Sequence, residues 1–426
     1  MNKLKYLFIA SAAFLISCYS SKSGGGRDRE RTYNKPYHRE DNELKLSMFM
    51  LHGTNNTSFV YYKIDNSQLL YKKIDTNNYF SSLLRVSYKF LPYPDAKQVI
   101  DSGTVFIEDK SPQPPAAKNL VGYIPFKVND GQNIYLELRV LDVFGKKNHT
   151  HYIECDKRTS FAQQSFMLET ENKEILFSNK IGIGTTVAIT NNRVGFINAR
   201  VDYFANDYSL PPPPFSDRQI ALYPSIPDSS FTIAAPDNHS FNLKVNRRGI
   251  YYIRLDSVNS GGCMVMGVEQ NFPKVQSHAQ MIAASRFIMN KDEYQKLIDA
   301  PDKQAAIESF WLGMAGNGDR AKELIKRYYN RVQDANTFFS SHMEGWKTDM
   351  GMIYIIYGTP AKTYKTSNME TWEYYIQNAP PLTFRFEKIS NPFSENCYKL
   401  QRSPQYKDPW TIAVSYWREG RVYLED

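Results

Sequence analysis

His342, Glu344 and Asp349 fall within eight residues of one another. An imidazole and two carboxylates at that spacing are the raw material of acid–base or metal chemistry. If the segment is helical, however, His342 and Glu344 are two apart and project from different faces. Cys397 and scattered serines supply further nucleophiles, but without a recognisable elbow or a base at a telling spacing. A second set is His149-Thr150-His151 with Cys155. On a strand these alternate positions share a face, and zinc accepts such ligands. No fourth ligand is evident, and an exposed polar strand end is the simpler account. Gly182-Ile183-Gly184 runs into Thr185-Thr186 rather than a helix, so it is no nucleotide fingerprint.

The residues around Asp349 also have a structural reading, and the sequence favours it. Gly345 permits a positive φ or a close approach of helix and strand backbones. Trp346 is a large anchor to bury. Thr348 and Asp349 carry short side chains that bond nearby N–H groups and fix a turn. Gly351 then lets the chain enter a strand. On this reading the motif is Gly345, Trp346, Thr348, Asp349 and Gly351. No catalytic residue, metal ligand or cofactor is expected.

The other residue with distinctive chemistry is Cys18. Lys3 and Lys5 form a basic n-region, Leu7 to Ile16 an apolar h-region, and Leu15-Ile16-Ser17-Cys18 follows. The run is too short for a permanent span and reads as a signal peptide. The last four residues resemble a bacterial lipobox, which implies cleavage before Cys18 and a diacylglycerol on its sulfur. Processing would remove two lysines from a formal net charge of +8. It would leave three thiols, Cys155, Cys263 and Cys397, an odd number with room for one disulfide at most.

Around these residues the chain must build its elements. Its 426 residues are 42% hydrophobic and 23% charged, enough for two or three domains. The mild basic excess (52 Lys and Arg against 44 Asp and Glu) is far from a nucleic-acid-binding stripe. Four Cys exclude a disulfide scaffold, while 14% aromatics with 30 Tyr suit β-rich domains and binding surfaces. Residues 1–17 read as the leader and 18–40 as a Gly-, Ser- and charge-rich tether. Over 41–157 the pattern has period two: Leu84, Val86, Tyr88 and Phe90 share one face, as do Ile134, Leu136, Leu138 and Val140. Over 158–272 the same grammar returns at 199–203, 241–245 and 251–255, with Pro211 to Pro214 as a stiff inter-strand loop. Both stretches are expected to be antiparallel β-sandwich-like domains. From 273 to 426 the period turns helical. Asn290 with Glu293 forms a capping box; Ile307, Phe310, Trp311 and Met314 make one stripe; Ala321, Leu324, Ile325, Tyr328, Val332 and Ala335 make another. Strands are expected at Met352 to Tyr357 and at Leu382, Phe384 and Phe386, with further candidates at Val414 to Trp417 and Val422 to Leu424. The fold class is therefore multidomain: two tandem sandwiches, then an α+β domain with helices first and a small antiparallel sheet after.

Glu344 to Asp349, Gly351 and the run Ile353 to Pro360 together resemble the GWxTD domain family of lipoprotein-associated envelope proteins in Bacteroidetes-like bacteria. The flanks agree: Phe310-Trp311, Tyr328 to Val332 with Ala335-Asn336, Glu370 to Tyr375, and Phe384-Arg385-Phe386. The resemblance covers residues 285 to 426. Where the family commonly has Arg-Asp-Pro after its Phe-Trp pair, Leu312 to Asn317 stands here, so nothing attached to that step carries over. The resemblance implies an envelope location rather than a reaction. The expectation is an outer-membrane lipoprotein, held to the membrane at Cys18 and facing the periplasm, since no acidic cluster follows that residue. It would be a non-enzymatic binding or scaffold subunit whose partners are envelope or outer-membrane proteins, engaged in protein insertion or secretion. Two alternatives stay open: a glycan- or peptidoglycan-binding module, and a hydrolase using Asp349 or His342.

Overall fold

The computed structural model describes residues 32–34, 37, 43–74, 79–94, 96–205, 209–218, 221–255, 261–376 and 380–424. The expected signal peptide and Cys18 lie outside them. The first described element, β1 (Thr32–Asn34), belongs to the far end of the chain and is taken up with it below.

Eight strands follow: β2 (Leu46–His52), β3 (Thr57–Asp65), β4 (Lys72–Ile74), β5 (Tyr79–Leu91), β6 (Asp101–Ser111), β7 (Asn119–Lys127), β8 (Asn133–Asp142) and β9 (Asn148–Asp156). They form a three-stranded sheet β2-β3-β7 and a five-stranded sheet in which β5 pairs with β4, β6 and β8, and β8 with β9. All these pairings are antiparallel. The alternating residues Leu84, Val86, Phe90, Leu136, Leu138 and Val140 point inward and pack with Val60, Ile64 and Ile124 from the facing sheet. Gly131, at φ +84°, supplies the left-handed turn between β7 and β8.

The next eight strands repeat this layout: β10 (Phe166–Thr170), β11 (Lys180–Gly182), β12 (Thr186–Asn191), β13 (Asn198–Phe204), β14 (Ser229–Ala234), β15 (Ser240–Lys244), β16 (Gly249–Arg254) and β17 (Cys263–Val268). A three-stranded sheet β10-β12-β15 faces a five-stranded sheet β11-β17-β16-β13-β14. One pairing departs from the expected antiparallel pattern: β11 runs parallel to β17. Every residue of β17 and all of β16 but Arg254 are buried. Tyr251, Ile253 and Val265 face the sandwich core. Ile250, Tyr252, Met264 and Met266 face outward and are covered by Phe393 from the C-terminal body. The second sandwich and the last third of the chain therefore share a core across the expected boundary at 272.

The C-terminal body contains α1 (His278–Ala284), α2 (Lys291–Asp299), α3 (Lys303–Ala315), α4 (Gly318–Phe339), α5 (Asp349–Tyr357), β18 (Lys362–Lys365), β19 (Met369–Tyr374), β20 (Leu382–Lys388), β21 (Tyr398–Leu400) and α6 (Lys407–Arg418). The Asn290–Glu293 capping box opens α2 as expected. The two stripes bury Ile307 and Trp311 on α3, and Leu324, Tyr328, Val332 and Ala335 on α4. Three strand expectations fail. Met352 to Tyr357 is the body of α5, not a strand. All nine residues of this helix are buried, so it shows no polar face, and a short continuous apolar run cannot be told from a buried strand by period alone. Gly351 accordingly sits in a first helical turn. Val414 to Trp417 lies in α6, which buries Trp410, Ala413 and Trp417 at helical spacing. Val422 to Leu424 forms no strand and packs as coil, Tyr423 lying 5.8 Å from Tyr357.

The tether expected over 18–40 also needs correction at its end. β1 pairs antiparallel with β18, Thr32 opposite Tyr364, and closes the edge of the sheet β1-β18-β19-β20-β21. Three residues on, Tyr37 inserts between Phe339 at 4.8 Å, Trp372 at 5.3 Å and Phe338 at 5.6 Å. Its hydroxyl donates to buried Glu370, and its carbonyl accepts from the Tyr354 hydroxyl at 3.0 Å. Burial, and then the Glu370 carboxylate, push the Tyr37 phenol well above its ordinary value, so it donates at any physiological pH.

All five Trp (311, 346, 372, 410 and 417) lie in the C-terminal body, so their emission reports on that body alone. Tyr37→Ala is expected to lower its stability by about 3 kcal/mol in urea unfolding, through a lost aromatic contact and an orphaned Glu370.

Candidate functional site

The motif is the junction between α4 and α5. After Phe339 the chain leaves α4, runs through 340–344, makes a single 3-10 turn over Gly345–Lys347 and enters α5 at Thr348. Thr348 caps this helix, its Oγ1 accepting from the Gly351 amide at 3.0 Å. Asn336 and Ser340 hold the turn from the α4 side. The Trp346 amide donates to Asn336 Oδ1 at 3.2 Å and the Gly345 amide to Ser340 Oγ at 3.0 Å. The glycines are set by clearance rather than by conformation. A Cβ on Gly345 would lie 1.8 Å from the Ala335 carbonyl oxygen, and one on Gly351 only 1.9 Å from the Gly345 carbonyl oxygen. The close approach expected at Gly345 is therefore present, made to helix α4, and repeated at Gly351.

Trp346 is buried, as expected of an anchor, and its Nε1 donates to Glu344 Oε2 at 3.0 Å. Lys347 Nζ sits 3.0 Å from the same oxygen and 5.3 Å from the centre of the indole. Arg248, in the β15–β16 turn of the second sandwich, donates to Glu344 Oε1 at 2.8 Å. Burial would raise the Glu344 carboxyl, but Lys347 and Arg248 outweigh it and hold the group below the usual glutamate range. Glu344 is thus an ionised hub tying two bodies together, a role that residue spacing alone does not suggest. The signal that could have found it is its place beside a buried Trp with a Lys three residues on.

Asp349 departs from the local role expected of it. It accepts from the Leu400 amide at 2.9 Å and is held bidentately by Arg402. Arg402 in turn donates to the Pro212 carbonyl at 3.1 Å, and the Ser403 amide to that of Pro214. The Pro211–Pro214 loop therefore docks on the C-terminal body. At the first position of α5, the Asp349 carboxylate also meets a favourable helix dipole.

His342 is buried, 6.3 Å from the Phe393 ring, with its pKa lowered to about 4 by burial, so it is neutral at pH 7. His342, Asp349 and Cys397 do meet, around a cavity of about 40 Å³. That holds no more than a water or two. Burial, and then Asp349, push the Cys397 thiol up to about 12, which keeps it from acting as a thiolate at neutral pH. Of the other candidates, His149 and His151 share a face of β9 with rings 5.8 Å apart, but Cys155 is buried in the first core and His149 engages Glu43 at 2.7 Å. Among the described residues no cluster of His, Cys, Asp and Glu is arranged to hold a metal.

The arrangement braces backbone and bodies, and two measurements check it. Gly345→Ala and Gly351→Ala should each cost about 1–3 kcal/mol or more in urea unfolding. Gly313→Ala, with nothing within 4 Å of its Cβ, should be neutral or stabilise α3 by about 0.5–1 kcal/mol. Glu344 is depressed in the folded state, so its pairing contributes fully above the ordinary glutamate range and is lost as pH falls through the folded value. Glu344→Gln should therefore lower stability at pH 7 by about 2 kcal/mol and flatten the acid limb of the stability profile below about pH 4.3.

Comparison with known proteins places this geometry in context. Residues 249–419 match the family model described as the GWxTD domain. No curated protein matches the chain. Among solved structures, red sea bream transglutaminase matches at 11% identity and a TM-score of 0.18, over 53% of this chain and 31% of the transglutaminase. The C-terminal domain of the Streptococcus pyogenes antigen I/II-family protein AspA matches at 10% identity and a TM-score of 0.17, over 52% of this chain and 99% of that domain. The chain thus spans about a third of the transglutaminase's length. The matched family segment opens at β16, so it takes in the two strands whose outer face Phe393 covers as well as nearly all of the C-terminal body. Over residues 249–419 the chain is similar to the GWxTD domain.

Proposed function

We propose that this chain is an outer-membrane lipoprotein, anchored at Cys18, that serves as a non-enzymatic binding or scaffold subunit of a cell-envelope assembly, with protein insertion or secretion as its setting. The observation that carries the reading is the use made of the motif's charged groups. Glu344 and Asp349, the two carboxylates best suited to chemistry, are committed to Arg248, Lys347 and Arg402. Through Arg248 and the Arg402–Pro212 contact they join the GWxTD domain to the rest of the second sandwich. Lys388 reaches Glu154 of the first sandwich at 2.6 Å in the same manner. A chain that spends its ionisable residues on joining three bodies is built to present surfaces.

One such surface is a cleft of about 840 Å³ between the Pro211–Pro214 loop and helices α2 and α6. Its floor includes Phe287, Met352 and Trp410, and Arg218, Arg286 and Arg418 line it. Arg418 is paired with Glu293 at 2.7 Å, so Arg218 and Arg286 are the cations this apolar cleft offers to acidic residues of a partner segment. Among the described residues no helix is long and apolar enough to cross a membrane, so attachment rests on the lipobox-like sequence at Cys18. From Cys18 to β1 the chain can reach at most about 50 Å. Because β1 is paired into the GWxTD domain, that domain rather than the first sandwich would lie nearest the bilayer.

Cys18→Ser should move the protein from the membrane to the soluble fraction and abolish metabolic labelling with palmitate. After gentle crosslinking in detergent-solubilised envelopes, the native protein should bring down a reproducible set of outer-membrane proteins that Cys18→Ser does not. Recovery of the native protein only as a free monomer would overturn the reading.

A further inference from the structure

The three-stranded sheet of the first sandwich has an outer face of unusual composition. Strand register places Phe49 opposite Tyr61, and Tyr61 opposite Tyr123, in one row across β2, β3 and β7. Leu51, Phe59 and Pro125 form the adjacent row. The rings touch: Tyr123 to Tyr61 at 5.5 Å, Tyr61 to Phe49 at 5.2 Å, and Phe49 to Phe177 of the second sandwich at 5.3 Å. Phe59 abuts Tyr123 at 5.4 Å. Sandwich sheets usually turn polar side chains to water, whereas here Tyr123 is 49% exposed and Val121 51%.

This face is one wall of a cleft of about 330 Å³ at the junction of the two sandwiches. Phe59 and Tyr61 line it on one side, and Ser165, Thr190 and Asn192 on the other. The 53–57 turn closes its end; Asn55 and Asn56 both hold positive φ there, and Thr54 and Asn55 are exposed. Among the described residues no Lys, Arg, Asp or Glu lines the cleft. Of its titratable groups, the Tyr61 phenol is raised by burial, and His52 shares a hydrogen bond with Ser58 at 2.9 Å and donates to the Asp156 carbonyl at 3.1 Å. Its pKa is lowered to about 4, so it too is uncharged at pH 7.

We propose that this cleft and the aromatic row beside it bind a neutral oligosaccharide. The chemistry of the walls selects the ligand. A sugar ring presents a CH face that packs on aromatic carbon, and a rim of hydroxyls that both donate and accept. Thr hydroxyls and Asn amides do the same, so they pair with sugar hydroxyls in either sense. A purely apolar segment would leave Thr54, Asn55, Thr190 and Asn192 desolvated without partners. The cleft's own lining offers an anionic ligand no cation; Lys63 Nζ lies at the far end of the row, 6.0 Å from the centre of the Phe177 ring. Location at a domain junction, with an apolar wall and a few convergent neutral polar groups, is the ordinary setting of a ligand site. The site lies outside the GWxTD domain and does not depend on the anchor at Cys18.

The test is isothermal titration of the full chain, held in a detergent without a sugar headgroup. The probes are cellotetraose, maltotetraose, tetra-N-acetylchitotetraose and the anionic tetragalacturonic acid. At least one neutral tetrasaccharide should bind with a millimolar or lower Kd. Tyr61→Ala should weaken it about tenfold or more, a loss of about 1.4 kcal/mol. Tyr123→Ser, at an exposed position that folding tolerates, should weaken it severalfold, and Tyr93→Ala, exposed elsewhere on the same sandwich, should not. Cys18→Ser should bind as the native chain does, so failure of the anchor leaves this result standing. No heat with any neutral probe, preference for tetragalacturonic acid, or binding indifferent to both Tyr61→Ala and Tyr123→Ser would overturn the proposal.

Discussion

Three stretches of backbone meet at Ala335, Gly345 and Gly351 with no space for a side chain between them. That steric constraint governs the C-terminal body. It lets the turn after α4 lie flat on the helix it has just left, and it lets α5 start against that turn. Only then does Trp346 reach its buried site and Thr348 its capping position. α5 is thereby threaded into the middle of the body, where all nine of its residues are buried. A helix buried on every side must have its ends satisfied from within. Thr348 does so at one end, and at the other the Gly358 amide donates to the Tyr354 carbonyl at 2.7 Å.

The same turn is the point from which charge spreads outward. Glu344 and Asp349 flank it, and each takes a basic partner from a distant part of the sequence. Removing water from a carboxylate is costly unless it is paired and hydrogen-bonded, and both are. What these pairs supply is registry: Arg248 fixes the β15–β16 turn against the motif, and Arg402 fixes the Pro211–Pro214 loop against β21. Phe393 adds an apolar contact on the outer face of β16 and β17. The GWxTD match beginning at Gly249 has a physical counterpart in this shared core, because those two strands are buried on both faces only when the C-terminal body is present.

The two sandwiches follow from alternation. Leu84, Val86 and Phe90 face in because period two admits one buried face, and the Asn129-Asp130-Gly131 turn marks where the chain must reverse. Amphipathic α2 and α4 were legible for the matching reason, since each keeps a polar face. Two of the three strand errors share a cause. Met352 to Tyr357 and Val414 to Trp417 are rich in β-branched and aromatic residues, which favour strands locally. Their helical state is decided by neighbours that enclose them. Tyr37 was missed because its binding site, between Phe339 and Trp372, is assembled from residues some three hundred positions away.

By itself, then, the sequence determined what depends on neighbours along the chain: two β-rich bodies, capped helices, the lipobox-like run at Cys18, and the set of residues in the motif. It favoured a structural role for Gly345, Trp346 and Thr348, because glycine, a large indole and a capping hydroxyl each suit one. Tertiary structure alone decided which charges meet and which faces stay open. Glu344 with Arg248, Asp349 with Arg402, and the row Tyr123–Tyr61–Phe49 are all products of strand register and body-to-body packing. Those contacts span tens to hundreds of residues, and a linear pattern carries no record of distance in space.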